Sequence, residues 1–320
     1  MNPKNHFPDH PRLIFMGTPD FAIPTLKGLI DYPHNGLTVV TQPDRRKGRG
    51  KKIAAPPVKL LAKEKGLEVL QPEKISDDSF CELIRDKAPD LIIVVAFGQI
   101  LPKSLLTAAG WGVINIHASL LPKYRGAAPI QRAVLNNEPG TGLTVMRMDE
   151  GLDTGPILYQ EELTIQRDET AGQLHDRLAL MAGDLMSKIL KQLPGNPLQE
   201  RPQDHSRATY ADKIGRHMCK IDWHQPAQQV SALIRALDPR PGAYTGLRGK
   251  DIKLFASRVV NGDAPDGVPG RVVKSQEGGL IVETGPGAVE IGEIQFSGKK
   301  RLPAVDFLRG FPLPEGTLFG

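Results

Sequence analysis

Three side chains that can take part in catalysis or ligand binding occur at alternate positions of one short segment. Residues 112–122 are predicted to form a β-strand, in which successive side chains point to opposite faces. Asn115, His117 and Ser119 then share one face, and the residues between them are apolar. Because proline lacks an N–H group, the strand is expected to end just before Pro122. An amide, an imidazole and a hydroxyl are therefore predicted at the carboxyl end of a strand, where open α/β sheets bind their ligands.

A tight turn adds a carboxylate to this set. An apolar strand is predicted over residues 143–148, and it leads into Gly151-Leu152-Asp153-Thr154-Gly155. An amide donor, an imidazole and a carboxylate suit acyl transfer to an amine. The donor and a charged imidazole stabilise an oxyanion, while the carboxylate keeps the imidazole protonated and helps to take the proton of the amine. No Ser, Cys or Lys is paired with His117 as a nucleophile, which favours direct transfer over a covalent acyl-enzyme.

Each of these signals also has an ordinary structural explanation. A half-exposed strand alternates polar and apolar residues, and an Asp in a glycine turn often only caps the local backbone. Asparagine is nevertheless depleted in strands, and a strand inside a parallel sheet is expected to be continuously apolar. The apolar pattern breaks only at the predicted carboxyl end. This favours Asn115, His117 and Asp153 as candidate catalytic residues.

The residues before this strand alternate between strand and helix patterns. Short apolar strands are predicted at residues 12–17, 38–41, 67–70 and 90–97. This alternation predicts an α/β fold with a doubly wound, mostly parallel, Rossmann-like sheet, in which the strand of His117 is fifth and near the centre. The turn after the first strand lacks the Gly-x-Gly-x-x-Gly pattern, which argues against a nicotinamide or flavin cofactor.

A basic stretch lies between the second and third predicted strands. Six of the nine residues from Asp44 to Lys52 are lysine or arginine, and Gly48 and Gly50 keep the backbone loose. Such a run is most often a solvated loop. Its guanidinium and ammonium groups also suit contact with a nucleic-acid backbone.

The pattern changes after a helix that ends at Pro194-Gly195-Asn196-Pro197. A polar stretch follows, and then short strands are predicted at residues 253–260, 270–274, 280–283 and 289–296. Short strands with glycine turns are typical of a small, OB-like β-barrel. We predict a catalytic domain over residues 1–195, a linker over 196–212 and a C-terminal barrel domain over 213–320.

Composition narrows the class of protein. The 320 residues are 40% hydrophobic and 24% charged, with a net charge of +5, which is modestly favourable for an anionic partner. Cys81 and Cys219 are far apart and form no Cys-x-x-Cys pair, so neither a disulfide framework nor a zinc site is expected. No apolar run reaches membrane-spanning length, and the polar start has no signal core. A cytoplasmic protein without membrane contact is expected.

Two motifs together carry a family resemblance. Asn115-x-His117-x-Ser119-Leu120-Leu121-Pro122, followed by Gly151-Leu152-Asp153-Thr154-Gly155, resembles the folate-dependent formyltransferases. The two motifs at this separation are far more specific than either one alone. The resemblance extends over nearly the whole chain, to residues 15–21, 41–52, 124–132 and 221–223.

The resemblance implies a donor, an acceptor and a set of site residues. The formyl group would pass from 10-formyltetrahydrofolate to the α-amino group of methionine on initiator tRNA, with no metal. Asn115, His117 and Asp153 would be catalytic, and the pterin would lie near residues 97–101 and the Asp149 turn. The remaining implied contacts are Ser119, Leu120, Leu121 and Pro122 for folate, and Arg49, Lys51, Lys52 and the barrel for tRNA. A monomer is expected.

Two alternatives remain open from the residues alone. A formyltransferase that acts on a free nucleotide or sugar amine would share the catalytic residues but not the basic stretch or the barrel. An RNA-binding module with a vestigial crevice would keep the basic surfaces and tolerate the loss of His117. The basic stretch and the barrel beside an acyl-transfer site favour an amine carried on a polyanion.

Overall fold

Alternating apolar strands and helices build the N-terminal part of the chain, as its pattern predicts. The structure is a computed structural model that describes residues 6–47, 52–194, 198–260, 267–273 and 280–320. The chain divides into two compact units, the first comprising 1–126, 141–163 and 175–210, and the second 127–140, 164–174 and 211–320. The predicted domain limits at residues 195 and 213 stay a prediction.

The strands of the N-terminal part are short and mostly buried. They are β1 (Leu13–Gly17), β2 (Leu37–Val40), β3 (Arg45–Lys47), β4 (Lys52–Ala54), β5 (Glu68–Leu70), β6 (Leu91–Val95), β7 (Val113–His117), β8 (Gly140–Arg147) and β9 (Ile157–Thr164). Burial of every residue of β1 and β6 explains their continuous apolar sequences.

Seven of these strands form the main sheet in the described residues, in the order β5-β2-β1-β6-β7-β8-β9. The first five strands in this order are parallel, and β8 runs antiparallel to β7. The strand order reverses between β1 and β6, which is the position where doubly wound sheets bind ligands. The predicted fold class is therefore confirmed for this sheet.

Helices alternate with the strands along the chain. In chain order they are α1 (Ile23–Ile30), α2 (Pro57–Glu64), α3 (Asp78–Asp86), α4 (Lys103–Leu106), α5 (Pro129–Leu135), α6 (Ala171–Gln192), α7 (Ala227–Ala236) and α8 (Ala304–Gly310). Proline in the first turn of α1, α2 and α5 fits a position whose N–H has no helical partner. In α6, Leu174, Leu178, Leu185 and Ile189 are buried at helical spacing.

The strand of Asn115 and His117 ends earlier than the sequence predicts. Its last ladder pair joins His117 of β7 to Thr144 of β8. Beyond that pair, the Thr144 hydroxyl donates to the carbonyl of Ser119 at 2.6 Å and accepts the N–H of Leu121 at 3.0 Å. A side chain thus replaces the neighbouring strand, and Ser119 lies beyond the strand instead of on its face. The strand is interior, and the middle position belongs to β6.

The C-terminal part contains a second, antiparallel sheet. Its strands are β10 (Ala243–Leu247), β11 (Lys250–Val259), β12 (Val272–Val273), β13 (Leu280–Glu283), β14 (Ala288–Phe296) and β15 (Leu302–Pro303). The order is β10-β11-β14-β13-β12, and β15 pairs with β14. The sequence prediction missed β10 and β15, and it placed the start of β11 three residues too late.

The end of the chain joins the two outer strands of this sheet. Val272 of β12 exchanges backbone hydrogen bonds with the segment Gly316–Thr317, at 2.8 and 2.9 Å. The N–H of Gly320 donates to the carbonyl of Gly246 in β10 at 3.1 Å. Because a Cβ atom on Gly246 would lie 1.9 Å from the Gly320 carbonyl oxygen, only glycine permits this approach. Residues 316–320 form a backbone seam between β12 and β10, so the predicted barrel is a curled sheet completed by this seam.

Within the described residues, no helix is both long enough and apolar enough to cross a lipid bilayer. Cys81 and Cys219 are buried free thiols.

Candidate active site

His117 lies at the carboxyl end of β7 and is 7% exposed. Its Nε2 atom is 2.9 Å from the carbonyl oxygen of Tyr124. Because a carbonyl oxygen only accepts, Nε2 carries a hydrogen and donates it. Nδ1 lies 3.6 Å from Oδ2 of Asp153, which exceeds hydrogen-bond length but leaves a protonated ring and the carboxylate close enough to attract each other. Nδ1 is thus the ring nitrogen that can exchange a proton.

Asp153 approaches His117 from the turn that follows β8. Its backbone is in the left-handed region, with a φ of +53°, which Asp tolerates better than most residues. Oδ2 accepts the N–H of Gly126 at 2.8 Å, and no described residue donates to Oδ1. The neighbouring Gly155 is required because a Cβ atom there would lie 1.9 Å from the carbonyl oxygen of Arg147. The carboxylate therefore has a fixed position and one oxygen available as a base.

Asn115 is on the same face of β7 as His117, two residues earlier. Its side chain is partly exposed, and within the described ranges its amide forms no hydrogen bond with another side chain or backbone group. The amide is available to a ligand. Asn115, His117 and Asp153 thus lie at one end of the sheet, and their roles stay a prediction.

The loop after β6 borders the reversal of strand order. Ala96 and Gly98 have positive φ values of 48° and 89°. The Thr18 hydroxyl donates to the carbonyl of Phe97 at 2.9 Å, which ties this loop to the end of β1. Phe97 and Leu101 are buried, at 3% and 5% exposure. Both side chains pack in a hydrophobic core cluster beneath the loop where the resemblance places the pterin.

A surface ion pair connects α4, which follows this loop, to the turn of Asp153. Nζ of Lys103 is 2.8 Å from Oε1 of Glu150. The hydrogen bond to Glu150 raises the pKa of the Lys103 ammonium group.

The predicted folate segment is held by side chains of β8 and β9. The Ser119 hydroxyl donates to the carbonyl of Lys123 at 2.6 Å, and Gln160 donates to the carbonyl of Leu121 at 2.9 Å. Ser119 and Leu121 are buried, whereas Leu120 and Pro122 are partly exposed. The Leu121–Pro122 peptide bond is cis. Leu120 and Pro122 are therefore the side chains that a ligand can contact.

The described ends of the basic stretch form two short paired strands, and the predicted loose backbone at Gly48 and Gly50 lies outside the described residues. Strands β3 and β4 pair antiparallel from Arg45↔Ala54 to Lys47↔Lys52. The predicted tRNA contacts Arg49 and Lys51 lie outside the described residues, and Lys52 begins β4.

The start of the basic stretch is anchored through Asp44. Its carboxylate accepts hydrogen bonds from Gln71 at 2.9 Å and Lys59 at 2.7 Å. These bonds lower the pKa of Asp44. These bonds fix the segment that leads into β3.

Two buried polar residues near the site were not predicted. Arg125 is 2% exposed and Gln203 is 6% exposed. Both Nε and Nη2 of Arg125 donate to Oε1 of Gln203, at 3.2 and 2.6 Å. Gln203 belongs to the polar stretch predicted as a linker, where nothing local in the sequence marks it.

The site has the composition of a polar group-transfer centre. Across the described part of the chain, no group of three or more His, Cys, Asp or Glu side chains is arranged to hold a metal ion. The chain has the doubly wound sheet of the α/β class, with an amide, an imidazole and a carboxylate at the edge where such sheets bind ligands.

The comparisons with known proteins give the family. Residues 12–190 match the family described as formyl transferase, and residues 213–312 match the formyl transferase C-terminal domain. The chain belongs to the formyl transferase family. It is 48% identical to the methionyl-tRNA formyltransferase of Geobacter metallireducens over 96% of this chain and 98% of that protein. It is 45% identical to that of Agathobacter rectalis over 96% and 99%.

Solved structures share the fold at low sequence identity. HypX from Aquifex aeolicus aligns with a TM-score of 0.67 and 18% identity, covering 96% of this chain and 49% of HypX. The N-formyltransferase from Helicobacter canadensis, solved with folinic acid and dTDP-3-aminofucose, aligns with a TM-score of 0.65 and 18% identity, covering 88% and 98%.

Proposed function

We propose that this enzyme transfers a formyl group from 10-formyltetrahydrofolate to the α-amino group of methionine on initiator methionyl-tRNA. The observation that carries the proposal is the 45–48% identity to methionyl-tRNA formyltransferases over nearly the whole length of both chains. The close approach of His117 and Asp153 at the carboxyl edge of the sheet supports the chemistry. The acceptor and the donor are expected to meet at this edge.

The reaction forms one bond and breaks another at the formyl carbon. The amine nitrogen attacks this carbon, the C–N10 bond of the donor breaks, and the proton lost by the amine ends on N10 of the departing tetrahydrofolate. Asn115 donates its amide N–H to the oxygen on which negative charge develops, and a charged His117 adds to this stabilisation. Asp153 takes the amine proton on Oδ1, the oxygen that is free of described donors.

The donor is held by groups at the ends of β6 and β7. The pterin lies against the loop of Phe97, whose backbone is fixed by Thr18. Leu120 and Pro122 contact the folate from the other segment. No part of this assignment requires a metal or a nucleotide.

The tRNA is bound by basic groups outside this site. Arg49, Lys51 and Lys52 of the basic stretch approach the acceptor stem, and the C-terminal unit contributes further contacts. A net charge of +5 is consistent with a polyanionic partner.

The decisive experiment supplies 10-formyltetrahydrofolate and offers two acceptors in parallel, charged initiator tRNA and a free dTDP-amino sugar. Formylation of the methionyl-tRNA with little reaction of the sugar is expected. Formylation of the sugar alone would replace this proposal with the small-molecule alternative.

A His117→Ala variant distinguishes an enzyme from an RNA-binding module with a vestigial crevice. We expect kcat to fall by about 10²–10³-fold, because a charge-stabilising donor is lost. The dissociation constant for tRNA, measured by filter binding, is expected to stay unchanged. Undiminished turnover in the variant would remove His117 from the mechanism.

A further inference from the structure

The side-chain amide of Gln203 joins the turn of Asp153 to a buried arginine. Its Nε2 donates to the carbonyl oxygens of Asp153 and Gly155, at 2.9 and 2.7 Å. Its Oε1 accepts two N–H groups of Arg125. Both hydrogens and both lone pairs of the amide are used. Arg125, which can only donate, fixes which end of the amide faces the turn, and Nη2 of Arg125 also reaches Nδ1 of His205 at 3.1 Å.

A second set of hydrogen bonds connects the same polar stretch to His117. Thr209 accepts the N–H of Tyr124 on its hydroxyl at 2.8 Å and the N–H of Arg125 on its carbonyl at 2.9 Å. Tyr124 in turn accepts the hydrogen of His117 Nε2. Residues 203–209 therefore support both partners of the His117–Asp153 contact.

The backbone conformations of Asp153 and Tyr124 require hydrogen bonds to hold them. Asp153 and Tyr124 both have left-handed conformations, with φ values of +53° and +60°. Non-glycine residues keep such conformations only where the surrounding structure fixes them. For Asp153, the side-chain bond to Gly126 and the two bonds from Gln203 supply this fixation.

We infer that Gln203 is a positioning residue for formyl transfer, which sets the separation of Asp153 from His117 by holding the carbonyl groups on either side of the turn. Gln203 touches neither substrate in this role. It acts through the backbone of Asp153 and Gly155, and Arg125 keeps its amide in the productive orientation. The inference rests on the proposed function for its activity readout.

Gln203→Glu is the most specific test, because it replaces the side-chain NH2 group by an oxygen and keeps the length and shape of the side chain. A carboxylate still accepts both N–H groups of Arg125, but it cannot donate to the two carbonyl oxygens of the turn. Gln203→Asn is the second variant, since it keeps the amide but is one methylene too short to reach all its partners. Gln192→Glu, at an exposed position at the end of α6, is the matched control for charge.

Two readouts separate positioning from a general loss of stability. The first is steady-state kinetics on protein shown to be folded by its thermal midpoint. We expect kcat of Gln203→Glu to fall by about 10²-fold, as a displacement of about 1 Å would cause, while the KM for the formyl donor changes by less than about threefold. The second is amide hydrogen exchange of residues 149–155, which is expected to accelerate in both Gln203 variants and not in Gln192→Glu.

The outcomes assign failure to one proposal or the other. A folded Gln203→Glu protein with kcat within about threefold of the wild type, or with unchanged exchange in the turn, overturns the positioning role. If Gln203→Glu does not fold, Gln203→Asn decides by the same criteria. A wild type that never formylates methionyl-tRNA overturns the proposed function instead, and the exchange measurement then still decides on Gln203.

Discussion

At the scale of single residues, the site depends on which atoms already have partners. Nε2 of His117 is committed to the Tyr124 carbonyl, and Oδ2 of Asp153 is committed to the Gly126 N–H. The atoms left for chemistry are Nδ1 of His117 and Oδ1 of Asp153. The amine proton is therefore expected to pass to Oδ1 of Asp153, while Nδ1 is the ring nitrogen through which His117 acts.

Asp153→Asn tests this assignment without disturbing the turn. Asparagine also adopts left-handed backbone, and its amide oxygen can still accept the Gly126 N–H. The variant loses the base, so kcat is expected to fall by about 10²–10⁴-fold in single-turnover and steady-state assays, with the thermal midpoint little changed.

The control makes the same chemical change in the same turn. Oδ1 of Asp149 accepts the N–H of Gly151 and the hydroxyl of Thr154, both of which an asparagine oxygen can also accept. Asp149→Asn is expected to lower kcat far less than Asp153→Asn. Equal losses in the two variants would mean that the turn, and not the carboxylate of Asp153, is what matters.

At the scale of elements, strands β3 and β4 of the basic stretch pair next to an anchored residue, Asp44. Bonds from Lys59 and Gln71 hold its carboxylate. The order already present in β3 and β4 would lower the conformational cost of binding a phosphate backbone.

An Arg49→Ala variant tests whether the basic stretch binds tRNA. If Arg49 neutralises a phosphate, the KM for tRNA is expected to rise while the KM for the formyl donor stays constant. The slope of log affinity against log salt concentration is expected to become shallower by about 0.7–0.9. Lys27→Ala, an exposed lysine on α1, serves as the control. Equal kinetics for both substrates in Arg49→Ala would return the basic stretch to the role of a solvated surface.

The elements that sequence predicted well are those with a local signal. β6 and β7 were predictable because burial imposes an apolar run and because Asn115 and His117 interrupt it. β9 was missed because it is an edge strand whose exposed positions are polar, including Glu162. β3 and β4 were missed because six basic residues resemble a solvated loop.

Gln203 and Arg125 could not be found by any such signal. They are 78 residues apart, and Gln203 is 50 residues from Asp153. A glutamine in a polar run carries no periodicity and no turn chemistry. Contacts of this kind depend on the tertiary fold, so the sequence identified the side chains that face the ligand and not those that hold them.

At the scale of the whole molecule, an ion pair in the C-terminal sheet makes folding stability depend on pH. Arg271 donates to both carboxylate oxygens of Glu283, a residue that is 7% exposed. The hydrogen bond from Arg271 lowers the pKa of Glu283 below its ordinary value of 4.5. The pair therefore contributes its full stability above about pH 4.5, and this contribution is lost as the pH falls through the lowered pKa.

A Glu283→Gln substitution is expected to make the free energy of unfolding depend less on pH in the acid range. The free energy of unfolding at neutral pH is expected to decrease, and its further decline below pH 4.5 is expected to be smaller than in the wild type. Urea unfolding, followed by the fluorescence of Trp223 in a Trp111→Phe background, reports on this unit. Glu290→Gln on β14 is the control. If the unfolding free energy of Glu283→Gln declined below pH 4.5 as steeply as that of the wild type, the role of the Arg271–Glu283 pair would be contradicted.

The seam of residues 316–320 has a consequence for handling this protein. If proteolysis removed it, the backbone groups of Val272, Gly270 and Gly246 that it now satisfies would be left as open strand edges. Open edges recruit strands from other molecules, so the clipped protein would be prone to aggregate through its C-terminal sheet even with the catalytic site intact.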